Sequence, residues 1–146
     1  MKVVVQRVKK ASVSYENIKE EISKGLVVFV GIKENDKEQD VEYIAKKVVN
    51  LRIFENEFGK MDKSVLDING ELLVISEFTL YGDCKKGNRP DFTSAAKPSF
   101  ALQMYNNFIE KLKTLLPTEK IKTGKFGAHM IVEIVNDGPV TIILET

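Results

Sequence analysis

Leu26–Ile32 reads LVVFVGI, an apolar run rich in β-branched valine, with Gly25 before it and Gly31 near its end. It is far shorter than the roughly 20 residues a membrane helix needs. It has no polar alternation, so it predicts a central strand buried on both faces. Such a strand requires apolar layers on each side, and the rest of the chain has to supply them. Val3–Val8, Ala11–Tyr15 and Ile18–Ile22 read as strands, the last two joined by a turn near Glu16-Asn17. Leu51–Phe54, Glu71–Leu80 with its apolar centre Leu72–Ile75, Ile121–Thr123, Met130–Asn136 and Val140–Glu145 add more, and Asp137-Gly138 supplies a turn between the last two.

Two segments have helical periodicity instead. Asp36, followed three residues on by Gln39, has the spacing of a capping box. Val41, Ile44, Ala45 and Val48 then fall on one face. Pro98 suits a first helical turn, where no N–H is needed. Ala101, Met104, Tyr105, Phe108, Ile109, Leu112 and Leu115 form one stripe that Pro117 ends. Two principal helices among many strands, without βαβ alternation, predict an α+β fold. The expected sheet is mainly antiparallel or mixed, curled and barrel-like, in a single domain spanning residues 1–146.

Composition narrows the function. With 146 residues, 43% hydrophobic and 29% charged, the chain can bury its own core without staples. Cys84 is the only cysteine and His129 the only histidine. No disulfide framework is available, and neither a zinc site nor a Cys–His pair is expected. Met1–Gln6 runs directly into a strand-like segment with no secretory core, so a soluble, cytoplasmic protein is expected, with no membrane partner, no metal and no cofactor. A net charge of +1 lacks the global basicity of a general nucleic-acid binder, so any such contact must be local.

Three segments depart from the plain pattern. Ser76-Glu77-Phe78-Thr79 places hydroxyls and a carboxylate at the end of a buried strand, as a strand emerging into solvent also would. Lys85, Lys86 and Arg89 cluster in a Gly- and Pro-interrupted loop with Phe92 and Lys97 beyond, a pattern of either a solvated loop or a clamp on a nucleic-acid backbone. Gly138-Pro139 follows a turn signal where a proline removes a ladder donor. It reads as an ordinary turn proline or as a cis bond.

In order and spacing the chain resembles the D-aminoacyl-tRNA deacylase family along nearly its whole length. The resemblance is carried by Gln6-Arg7-Val8, Ala11-Ser12-Val13, Asn50–Phe54, Gly59-Lys60-Met61, Ser76–Leu80, Lys86–Pro90, Thr123–Ala128 and Val135–Thr141. It implies hydrolysis of the ester of D-aminoacyl-tRNA, with mischarged glycyl-tRNA a further candidate, by a homodimer whose active site lies at the subunit interface. Gly138-Pro139 matches the family's cis Gly-Pro, which reaches into the partner's pocket, holds the substrate's α-amino group and excludes L side chains with backbone. Thr79 and the backbone N–H of Phe78 are the implied catalytic groups, assisted by the terminal ribose 2′-OH of the tRNA. Ser76, Glu77, Phe126 and Met130 match substrate-binding positions, and Lys85, Lys86 and Arg89 are assigned to tRNA binding. Glu77 departs from the family's Ser-Gln-Phe-Thr motif, where glutamine is usual.

Overall fold

The computed structural model describes all residues, Met1–Thr146. The strands are β1 (Lys2–Tyr15), β2 (Ile18–Ile22) and β3 (Gly25–Gly31), followed after helix α1 (Glu38–Asn50) by β4 (Phe54–Glu55), β5 (Met61–Lys63) and β6 (Glu71–Ser76). Helix α2 (Pro98–Lys113) precedes β7 (Ile121–Thr123) and β8 (Ile131–Glu145). The main sheet runs β2-β1-β3-β6-β7, with β8 on the other side of β1. β1 is antiparallel to β2, β3 and β8, whereas β3–β6 and β6–β7 are parallel. The sheet is thus mixed and barrel-like, and the fold is α+β as the sequence predicts.

The valine-rich run is the central strand. Leu26, Val28 and Val30 face one core with Val41, Ile44 and Val48 of α1 and Phe108 and Leu112 of α2. Val27 faces the other, with Val8, Val13, Leu73 and Ile75 inside the curl. Alternation along β3 therefore serves two apolar layers, and each fully buried Val or Leu contributes about 1.5–3 kcal/mol. Gly25 is required for its closeness to β6: a Cβ there would lie 1.9 Å from the Glu71 carbonyl oxygen.

Local boundaries differ from the sequence reading where distant partners intervene. Asp36 does not cap α1. Its buried carboxylate pairs with the Met1 ammonium and accepts the Lys33 N–H, while Asp40 reaches back to the Lys37 N–H at 2.7 Å. Of the expected strand Leu51–Phe54 only Phe54 is in a strand, the short β4, whose partner is β5. β1 is one long strand, because β8 pairs along both halves of it. No helix is long and apolar enough to cross a membrane.

Candidate active site

β6 stops at Ser76 because its parallel pairing with β3 ends at the Val30–Ser76 register. The Glu77 N–H still donates to the Val30 carbonyl at 2.8 Å, and the chain then tightens into one 3-10 turn, Phe78–Tyr81. The sequence reading carries this strand to Leu80; the turn replaces its last residues. Phe78 and Thr79 occupy the first positions of the turn, so their N–H groups have no carbonyl behind them within it. The Thr79 hydroxyl donates to the Glu77 carboxylate. Phe78 is exposed and meets Phe92 edge to face, with centroids 5.1 Å apart.

These residues open onto a cavity of about 620 Å³. Ser76, Glu77 and Phe78 form one wall, Phe92, Ala96 and Lys97 a second, and Phe126 and Met130 a third. Glu77 and Lys97 are the only charged residues in an otherwise mainly apolar lining. A concave, mainly apolar pocket with a few polar groups has the general form of a small-molecule site. A broader groove of about 850 Å³ runs past Lys10, Ser12, Lys19 and Glu133, but Lys19, Glu21 and Glu133 there are spent on one another. Lys19 pairs with Glu21 and Glu133, and Ser12 donates to Glu133. The smaller cavity is the one that the Ser76–Phe78 segment lines.

The floor of the cavity is fixed from below. Phe126 lies 6.0 Å from the ring of Tyr105, whose hydroxyl donates to the Val74 carbonyl at 2.9 Å. Burial pushes the Tyr105 hydroxyl far above its ordinary pKa, so it remains a neutral donor. Gly124 leaves space for Met130, since a Cβ there would lie 2.4 Å from the Met130 sulfur. Tyr105→Phe is expected to lower stability by about 0.5–1.5 kcal/mol, the net worth of one hydrogen bond. The loss stays modest because the Val74 carbonyl keeps the Gly124 N–H at 3.2 Å. The urea midpoint measures this.

Gly138-Pro139 is not a hairpin turn, contrary to the sequence reading. β8 is a single strand that pairs with β1 on both sides of the motif, with register shifts between Gln6 and Val8 and between Val8 and Lys10. The motif protrudes at this irregularity, exposed, with its peptide bond cis. Arg7 bolts it in place. Its buried guanidinium donates to the Asp137 carbonyl at 3.0 Å and to the Ile53 carbonyl at 2.6 Å, and it lies 3.6 Å from the Asp137 carboxylate. The Asn136 side chain accepts the Val140 N–H at 3.0 Å. Gly138 and Pro139 do not line the cavity of their own chain.

The basic loop stands beside the cavity mouth rather than in it. Asp83 and Asp91 exchange backbone hydrogen bonds at 2.8 and 2.9 Å and close its base. The Asp91 carboxyl is held below its usual pKa by the Thr93 N–H. Lys85, Lys86 and Arg89 are exposed at the far end, and Phe92 at the near end reaches the cavity.

The family model described as D-Tyr-tRNA(Tyr) deacylase matches residues 4–145. The chain is 55% identical to a D-aminoacyl-tRNA deacylase of Halothermothrix orenii, covering 100% of this chain and 97% of that one. It is 52% identical, at the same coverage, to one of Clostridioides difficile. The chain belongs to the D-Tyr-tRNA(Tyr) deacylase family. Membership carries the enzyme class, a hydrolase acting on aminoacyl-tRNA. Among solved structures, the c-Myc DNA Unwinding Element Binding Protein superposes with a TM-score of 0.95 at 47% identity, covering 100% of this chain and 99% of that one. A probable eukaryotic D-amino acid tRNA deacylase superposes with a TM-score of 0.85 at 12% identity, over 98% and 97% of the two chains, a likeness of fold.

For a deacylase of this family, the residues singled out in the sequence fall into three groups. Ser76, Glu77, Phe78, Phe126 and Met130 meet at one cavity, with Thr79 bonded to its rim. Gly138 and Pro139 stand apart, and Lys85, Lys86 and Arg89 form a third station. Sequence reasoning misses the positioning of the Gly-Pro motif by Arg7. Its signal is that Arg7 continues the alternation of Val3 and Val5 on the buried face of β1. The wall formed by Ala95, Ala96 and Pro98 also escapes it, since small residues before a helix carry no chemical mark.

Proposed function

We propose that the chain, acting as one catalytic domain, hydrolyses the ester of D-aminoacyl-tRNA and releases the free D-amino acid and the tRNA. The observation that carries this reading is the apolar cavity lined by Phe78, the first residue of a 3-10 turn, whose N–H has no carbonyl partner within that turn. Water attacks the ester carbonyl carbon, and the negative charge developing on its oxygen is met by the Phe78 N–H. The bond to the ribose 3′-oxygen then breaks, and that oxygen leaves with a proton. The terminal 2′-OH orients the water, and Thr79 positions substrate. Removing one such oxyanion donor costs about 10²–10³ in rate, and an activated ester needs little further chemistry.

Gly138 and Pro139 work, in this reading, in the cavity of a second copy. They are exposed, rigidly held by Arg7, and outside the cavity of their own chain. The outer edge of β8 has no strand partner, and β8 exposes Ile131, Val135 and Ile143. A long open edge with apolar side chains is ordinarily covered, and a second copy supplies the cover. The Gly138 and Pro139 carbonyls then receive the substrate's α-ammonium, and the backbone leaves no room for an L side chain. Glycine has no side chain to exclude, so mischarged glycyl-tRNA is a further substrate. In solution the chain should sediment at twice its 16.5 kDa. A monomer at micromolar concentration would contradict the shared site.

Lys85, Lys86 and Arg89 engage the phosphates of the tRNA acceptor end, in a cytoplasmic enzyme. Replacing all three with neutral residues should weaken tRNA binding and flatten its salt dependence. The log–log slope should fall by about 0.7–0.9 for each phosphate that is no longer neutralised. An unchanged slope would show that they touch no phosphate.

A second reading is nucleic-acid binding without hydrolysis. It draws on the name of the 47%-identical c-Myc DNA Unwinding Element Binding Protein and on the exposed cations of the loop. Incubation with D-tyrosyl-tRNA separates the two. Release of D-tyrosine at catalytic enzyme concentrations supports the deacylase, and binding with no release supports the alternative.

A further inference from the structure

Lys97 is the one cation in the cavity lining, and its backbone is held while its side chain is free. Pro98 follows it and disfavours helical backbone at the residue before. Lys97 is accordingly extended, with φ of −60° and ψ of 147°. The Ala96 N–H donates to the Ile32 carbonyl at 2.9 Å, and the Lys97 carbonyl accepts the Ala101 N–H at 2.9 Å. These bonds tie the residue to the end of β3 on one side and to the first turn of α2 on the other. Lys2, Lys111 and Lys125 each meet a carboxylate, but Lys97 is exposed and its ammonium meets none. Glu77, the other charged residue in the lining, belongs to the wall formed by Ser76, Glu77 and Phe78. An anionic group at the opening is therefore drawn to the Lys97 wall and repelled from the Glu77 wall.

Size decides which anion this is. A cavity of about 620 Å³ is of the class that takes one small molecule, so an aminoacyl nucleoside enters and the rest of a tRNA stays outside. The phosphodiester joining that terminal nucleoside to the chain then has to cross the rim. We propose that Lys97 binds this last internucleotide phosphate. The inference rests on the deacylase reading above. Lys97 is a substrate-binding residue distinct from Lys85, Lys86 and Arg89, which stand at the far end of their loop and meet phosphates more remote from the ester. It holds the one negative charge nearest the reacting bond. That contact sets how deep the nucleoside enters, and so how the ester carbonyl meets the Phe78 N–H.

The test compares two D-tyrosyl-tRNAs that differ only in the last internucleotide linkage, a phosphodiester in one and an uncharged methylphosphonate in the other. The ratio of kcat/KM for the two is measured at low ionic strength, where an exposed cation is least screened. The native chain is expected to prefer the phosphodiester about tenfold, as befits one charge-assisted hydrogen bond. Lys97→Gln should bring that preference to within about twofold of unity, and Lys97→Arg should keep it. The triple variant of Lys85, Lys86 and Arg89 should bind both tRNAs more weakly and still prefer the phosphodiester about tenfold. A native chain indifferent to the charge of the last linkage overturns the proposal, as does a Lys97→Gln variant that keeps the native ratio or loses rate equally on both tRNAs. Failure of the native chain to release D-tyrosine from either tRNA overturns the deacylase reading itself, a separately visible result.

Discussion

Gly138→Ala is expected to lower deacylation of D-tyrosyl-tRNA at least about a hundredfold while leaving the protein folded. Gly138 has φ of +137°, a conformation that side chains of L residues rarely adopt. A Cβ added there would lie 2.6 Å from Val140 Cγ2 and 2.8 Å from the Val140 backbone nitrogen, with the Arg7 guanidinium 3.3 Å away. The backbone has to move, and the Gly138 and Pro139 carbonyls move with it. Misplacing reacting or positioning groups by about 1 Å costs roughly 10² in rate. The position is exposed and outside both cores, so the stability cost is that of a strained residue, about 1–3 kcal/mol. Single-turnover rates with D-tyrosyl-tRNA and a thermal melt of the same preparation test both halves. A variant with activity within about threefold of native would remove the motif from the active site.

Arg7→Ala should produce the largest loss of stability. Arg7 sits in β1, and its side chain is only 6% exposed. Its removal strips the Asp137 and Ile53 carbonyls of donors, leaves the Asp137 carboxylate without its nearest cation, and opens a void between β1 and the β4 segment. Leaving the Ile53 and Asp137 carbonyls without their donor costs about 1–3 kcal/mol each. For a chain of this length that corresponds to a melting temperature lower by roughly 10 °C. Arg7→Lys should rescue little, because one ammonium cannot span two carbonyls as the planar guanidinium does. D-specific activity should fall in both variants, since the Gly-Pro protrusion loses its anchor. A melting temperature within about 2 °C of native would show that the protrusion holds its shape without Arg7.

What the sequence discloses and what it conceals divide by distance along the chain. The Leu26–Ile32 run and the stripe from Ala101 to Leu115 are legible because apolar periodicity is local, and both stand in the structure as β3 and α2. Asp36 has the local pattern of a cap and is not one. The group that claims its carboxylate is the Met1 ammonium, which no local pattern reveals. Asp137-Gly138 carries the chemistry of a hairpin, yet pairing with β1 continues on both sides, and Arg7, far upstream, holds the protrusion. Glu71–Leu80 looks like one strand because Phe78 and Leu80 remain apolar after the pairing with β3 has ended. Within the site, Ser76, Glu77 and Phe78 are conspicuous as polar or aromatic groups at a strand end. Their meeting with Phe126 and Met130 depends on β7 lying beside β6, a parallel pairing that short apolar segments do not announce. The Thr79–Glu77 bond is hidden for a simpler reason. Strand alternation puts both on one face, but the 3-10 turn sets their approach.

The central claim is that this chain removes D-amino acids from tRNA and spares L-amino acids by backbone exclusion. The most direct test is a side-by-side deacylation time course with D-tyrosyl-tRNA and L-tyrosyl-tRNA on the same tRNA. Rapid release of D-tyrosine, with L-tyrosyl-tRNA decaying no faster than in buffer, is the predicted result. Equal rates for the two would contradict it.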